Sequence, residues 1–157
     1  MKNLKTILEE SILGDIETRI NTNKDIIDII KDFLDKSYFG GSRHFKIVKK
    51  PNSESKYIVT CKGETQLRPG ASSITNGLFI FADTPDDFCI GYNKNIKSLD
   101  GCPNIVKGDF DCRSTAITSL EHAPEETYGN FICTYCNTEF TEDDVKKVCN
   151  VHKKIFV

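Results

Sequence analysis

Four side chains near the end of the sequence have the types and spacing to hold a metal ion. Cys133, Cys136, Cys149 and His152 stand in CTYCNTEFTEDDVKKVCNVH as C-x2-C-x12-C-x2-H. Thiolate and imidazole ligands so spaced build a tetrahedral zinc site when all four converge. The other chemistry open to these residue types is covalent: a cysteine nucleophile served by a histidine base. The histidines are His44, His122 and His152. None lies in a recognisable catalytic motif, and no Walker loop, G-x-G-x-x-G, H-E-x-x-H or paired-carboxylate signature occurs. The residue types therefore point to a non-enzymatic protein without a cofactor. Whether zinc is the exception depends on the elements that carry the four ligands.

The totals describe an ordinary globular chain: 157 residues, 38% hydrophobic and 28% charged, 21 basic against 23 acidic, formal net charge −2. That length supports one domain. The basic residues are scattered, with only the pairs Lys49-Lys50, Lys146-Lys147 and Lys153-Lys154, so no nucleic-acid footprint is present. No run approaches a membrane span, and Glu9, Glu10 and Asp15 interrupt the stretch where a signal peptide would be apolar. The chain is therefore expected to be made and kept inside a cell, without membrane association. Seven cysteines with no secretion signal are expected as reduced thiols, which behave as small buried apolar residues.

Residues 3–37 carry helical periodicity. Leu4, Ile7, Leu8, Ile12, Leu13, Ile16 and Ile20 recur at three- and four-residue steps, and Gly14-Asp15 breaks this first segment. TNKD (22–25) resembles a capping box, and Ile26, Ile27, Ile29, Ile30, Phe33 and Leu34 give the second helix a wide apolar face that FGGS (39–42) ends. HFKIVKK (44–50) and KYIVTCKG (56–63) flank the turn residues PNSES and predict a β-hairpin. TQLRPGASSITNG (65–77) reads as loop, and LFIFADTP (78–85) as a buried strand.

From Cys89 the sequence repeats. CIGYNKNIKSLDGCPNIVKG (89–108) set above FDCRSTAITSLEHAPEETYG (110–129) matches Ile96 with Ile117, Ser98 with Ser119, Leu99 with Leu120, Pro103 with Pro124 and Gly108 with Gly129, always 21 residues apart. GDFDC (108–112) then becomes GNFIC (129–133) at the same step. A fixed period of this length predicts a solenoid. In DFDC the alternation puts Phe110 and Cys112 on one face and Asp109, Asp111 and Arg113 on the other. Ile117 and Leu120 turn inward at the corner, and Pro124 fixes the returning segment. One such unit buries almost nothing alone, so the coils must stack.

GDFDCRSTAITSLEHAP (108–124) resembles the repeat unit of the leucine-rich repeat family, in a short form with an extended, proline-bearing segment in place of the helix. This variant is frequent in bacteriophage and prophage proteins, and GYNKNIKSLDGCP (91–103) is a second match. Ser114, Thr115 and Ala116 replace the polar loop with its asparagine, Gly91 stands at the cysteine position and His122 at a glycine position. LKTILEESILGDIE (4–17) resembles leader segments of phage-encoded proteins, and serves either as a docking helix or as packing for the protein's own sheet. The resemblance covers about residues 78–157; together with the periodicity before it, the chain is expected to be α+β, with a helical segment over 1–40, then a hairpin and a leucine-rich-repeat-like solenoid over 41–157. Its repeats are 89–109, 110–130 and a partial 131–140, with a helix–strand cap at 141–157.

Those elements divide the four metal candidates. Cys133 falls at the repeat's inward cysteine position, and Cys149 shares a helical face with Val145 and Val148 after a capping-box start at Thr141. Only Cys136 and His152 lack a packing role. The expected function is therefore binding of a protein partner from host or phage, through strand-ladder residues pointing outward: Ile90, Tyr92, Asp109, Asp111, Arg113, Asn130, Ile132 and Thr134. Two other readings stand beside it: a small zinc domain using Cys133, Cys136, Cys149 and His152, and a homo-oligomeric structural component joined through the N-terminal helices.

Overall fold

Parallel two-residue strands, stacked coil upon coil, organise most of the chain. The computed structural model of the protein describes residues 26–49 and 57–157. The first helical segment, TNKD and the PNSES turn lie outside the described residues. Helix α1 (Ile26–Ser37) buries Ile29, Ile30 and Leu34, the face that the isoleucine spacing predicts. It stops at Gly40 and Gly41, whose φ values of 82° and 61° lie in the left-handed region that side chains resist. A Cβ on Gly41 would also strike the Asp35 carboxylate, which accepts the Ser42 backbone N–H at 2.6 Å.

A short 3-10 turn (Gly41–His44) leads into β1 (Phe45–Lys49), which pairs antiparallel with β2 (Tyr57–Cys61), the two arms of the expected hairpin. Strand β3 (Thr65–Gln66) follows, and β4 (Phe79–Phe81) adds to β2 in parallel. The alternation of β2 and β4 sends Tyr57, Val59, Cys61, Phe79 and Phe81 inward.

The solenoid has two parallel ladders. The first is five strands long: β3, β5 (Phe88–Cys89), β7 (Phe110–Asp111), β9 (Phe131–Ile132) and β11 (Ile155–Phe156). The second joins β6 (Ile105–Val106), β8 (Glu126–Thr127) and β10 (Asn150–Val151), and Thr84 bridges onto Val106 at its start. Helix α2 (Glu142–Val148) occupies the last corner and is closed by a full Thr141–Asp144 capping box.

Between the ladders runs a continuous interior. The rings of Phe81, Phe88, Phe110 and Phe131 follow one another at centroid distances of 5.1, 6.3 and 5.0 Å. Leu67, Ile90, Cys112 and Cys133 form the neighbouring inward row, and Ile96 with Ile117 and Leu99 with Leu120 fill the corners. Each buried Phe or Ile contributes about 1.5–3 kcal/mol relative to an exposed one, so the row carries much of the stability. Ile30, Leu34 and Tyr38 belong to the same core, which joins α1 to the stack.

Two expectations change. The ladder begins at Thr65, inside the stretch read as loop, so five strands stack where about three coils were expected. The strands also start at 65, 88, 110, 131 and 155, so the steps are 23, 22, 21 and 24 residues rather than a constant 21. Register therefore puts Phe88, and not Cys89, on Phe110.

Candidate functional site

The outward face of the five-stranded ladder is built in columns, and the columns do different work. Immediately before β5, β7, β9 and β11 stand Asp87, Asp109, Asn130 and Lys154. Asp87 accepts the backbone N–H of Asp109 at 2.6 Å, and Asp109 accepts the N–H of Asn130 at 2.7 Å and its amide at 3.0 Å. Asn130 in turn accepts the N–H of Lys154 at 3.2 Å. Each polar side chain thus ties down the next coil's backbone. Gly108 and Gly129 let this happen, because a Cβ on either would strike the carboxylate of Asp87 or Asp109. The GDF and GNF signatures are therefore stacking devices.

Within the strands the outward column is Gln66, Cys89, Asp111, Ile132 and Phe156. Asp111 is 9% exposed and fully engaged: Arg113 reaches it through Nη2 at 2.7 Å, through Nε at 2.9 and 2.8 Å to its two oxygens, and through its backbone N–H at 3.0 Å. That hydrogen bonding raises the Arg113 pKa above its ordinary value. The guanidinium then leans 5.7 Å from the centre of the Tyr92 ring. Gly91 leaves room for this pair, since a Cβ there would sit 3.1 Å from Asp111 Oδ1.

Of the eight outward residues expected from the sequence, the structure moves one to the other side. Ile90 is fully buried, because the 22-residue step to the next coil pairs Cys89 with Asp111 and turns Ile90 inward beside Cys112. Asp109, Asp111 and Asn130 face outward but are committed to neighbouring coils or to Arg113. Tyr92 is exposed, Ile132 and Thr134 are half-buried, and Arg113, though bonded to Asp111, keeps 34% of its side chain exposed. Tyr135, which the sequence reading passed over, is 82% exposed at the same corner as Tyr92, which is 63% exposed. Both take positive φ, as does Ser114 between them, so the corner repeats its backbone and holds both rings out at one edge of the face.

Behind that corner lies a buried polar row. Asn93 donates to the carbonyls of Ile90 and Gly91 at 3.1 and 3.2 Å, Thr115 to that of Cys112 at 2.8 Å, and Cys136 to Cys112 at 3.4 Å while touching the Thr115 hydroxyl at 3.6 Å. Asn93, Thr115 and Cys136 take the same place in successive coils, 22 and then 21 residues apart, where a constant 21-residue alignment would put Lys94. Cys136 is the third member of this row. The Cys112 thiol beside it brings its pKa down to about 6, helped by Thr115, whereas burial pushes Cys61 up to about 11 and Cys133 up to about 12.

The four zinc candidates are divided between the two ladders and the corner row, where Cys136 lies. Cys133 follows β9 in the first ladder, whereas Cys149 and His152 flank β10 in the second. Cys149 lies 3.5 Å from the Thr127 hydroxyl. His152 pairs with Glu126 at 2.8 Å and stacks on Tyr128 at 4.4 Å, and the Lys107 ammonium sits 3.8 Å from the centre of the same ring. Among the described residues no three His, Cys, Asp or Glu side chains are placed to hold a metal ion. His122 stands exposed at a corner with φ 66°, in register with Gly101 at 91°. No helix among the described residues is long and apolar enough to cross a membrane. Comparison with protein-family models, curated proteins and solved structures finds no match for the chain.

Proposed function

We propose that this protein is a non-enzymatic protein-binding module of the short leucine-rich-repeat type, encoded by a phage or prophage, whose partner lies on the outward face of the five-stranded ladder. The observation that carries the reading is the division of labour on that face. Polar groups with structural duties, Asp109, Asn130 and Asp111, are consumed internally, and what is left pointing at solvent is Tyr92, Arg113, Ile132, Thr134 and Tyr135. Aromatic rings and arginine on a rigid scaffold are the residue types that dominate binding energy at protein interfaces. The face is small, which suits one modest partner better than a long polymer. The phage assignment rests on the likeness of GDFDCRSTAITSLEHAP to phage repeat units, as does a location in the host cytoplasm or the virion.

The test is site-specific photocrosslinking in expressing or infected cells, with the crosslinker placed in turn at Tyr92, Tyr135 and, on the other ladder, Tyr128. The reading expects one discrete adduct from Tyr92 and Tyr135, lost on adding R113E, and none from Tyr128. Equal capture from all three positions overturns it.

A further inference from the structure

The solenoid's last coil leaves both ladders unpaired among the described residues. β10 and β11 are the terminal strands of their sheets. Phe131 and Cys133 donate their N–H groups to the carbonyls of Lys154 and Phe156. Alternate residues of a strand turn their backbone groups to opposite sides, so those of Ile155 face away from the stack. Asn150 and His152 likewise donate backward to Glu125 and Thr127, which leaves the groups of Val151 facing outward. Together with α2 these strands enclose an open concavity of about 790 Å³. Its charged lining is Lys146, Lys147, Lys153 and Lys154 against the single carboxylate of Glu142. Lys146 and Lys147 are paired with Glu142 and Asp144, whereas Lys153 and Lys154 have no ion pair among the described residues. Phe156, which also lines it, is 44% exposed, and Val157 just after it 48%.

We propose that this end face binds an extended, acidic polypeptide segment of a partner protein, which adds a strand to β11 and sets its carboxylates against Lys153 and Lys154. Open strand edges recruit extended chains through main-chain hydrogen bonds, and the lysines select the sign. They also select against a second copy of this chain. Head-to-tail stacking is blocked because the opposite ladder end, β3, is already occupied: Phe39 donates to Gln66 and Arg68 to Ser37. Parallel pairing of two β11 strands would set Lys153 and Lys154 of both copies side by side, and like charges so placed repel. Antiparallel pairing about Ile155 would set Lys154 against Phe156 and show as a dimer on sizing, an outcome that overturns the proposal. The lysines that carry this proposal are not among the residues of the outward face proposed above, so it can fail without the earlier reading failing.

The experiment is fluorescence anisotropy of the full chain with a labelled synthetic peptide alternating valine and glutamate. Three controls accompany it: the same peptide with alternate backbone amides N-methylated, the valine–lysine counterpart, and a thymidine oligonucleotide of equal charge. The proposal expects saturable binding of the acidic peptide, weakened about tenfold or more by K153E/K154E, retained in K153R/K154R, lost on N-methylation and absent for the lysine peptide. Circular dichroism establishes that the variants are folded. No binding of the acidic peptide, binding that survives N-methylation, insensitivity to K153E/K154E, or tighter binding of the oligonucleotide each overturns it.

Discussion

At the Thr65 end of the solenoid the chain lays its own backbone along the ladder. Tyr38 bridges antiparallel to Leu67, its hydroxyl donates to the Ile74 carbonyl at 2.6 Å, and its ring meets the edges of Phe33, Phe45 and Phe81. At the Ile155 end no strand lies beyond β10 or β11 among the described residues, and the interior is covered by Val145 of a seven-residue helix, by Cys149 just after it and by the partly buried Phe140, Val151 and Ile155. The same parallel stack is thus sealed by a large aromatic cluster on one side and by a short helix and lysines on the other. In a quasi-one-dimensional protein each coil is held by its neighbours, so an end with one neighbour is the place where order is lost first and a partner can add.

The largest effect expected from this difference is at Tyr38. Y38A should remove about 3–5 kcal/mol of stability in urea unfolding and shift the whole cooperative transition, whereas V145A should cost about 2 kcal/mol and loosen only the last coil. Equal, global losses from the two substitutions would erase the contrast. In the middle of the stack, D109A leaves the Asn130 N–H and amide without their acceptor and should cost about 1–3 kcal/mol; D109N, which keeps an oxygen in place, should cost less.

The smallest effect concerns acid. The Thr141 hydroxyl and backbone N–H, followed by Lys147, hold the Asp144 carboxyl down to about 2 from its usual 3.8. A depressed carboxylate contributes its stabilisation above the ordinary value and loses it as pH falls towards the folded value. Acidifying from 4 towards 2 should therefore fray the start of α2, read as faster amide exchange at Asp144 and Val145, while the Tyr38 cluster is unaffected through this group. Simultaneous loosening at both ends would show that Asp144 is not the cause.

Much of this architecture was legible where coils are equal in length. Between 110 and 131 the step is 21 residues, so Phe, Cys, Ile and Leu recur in register and the inward face reads directly. One extra residue in the corner at 91–96 changes the earlier step to 22, although Ile96 and Ile117 still match at 21. A strand has a side-chain period of two, so that single residue exchanged Cys89 and Ile90 between solvent and core. The first coil was hidden for another reason. Thr65-Gln66 is too short and polar to show any alternation, and its inward residues, Leu67 and Ile74, have no phenylalanine beside them to echo later coils. Nor could spacing alone reveal that Asp109, Asp111 and Asn130 are consumed inside the fold, since that depends on the coil stacked next to each.

The most direct test of the account is native-state hydrogen exchange of the ladder amides. The asymmetric stack predicts strong protection at Leu67, Ile90 and Cys112, whose N–H groups are bonded to Cys89, Asp111 and Ile132 inside the stack, falling through Cys133 to little protection at Ile155 and Val157. Protection as strong at Ile155 as at Leu67, or a gradient running the other way, would contradict it.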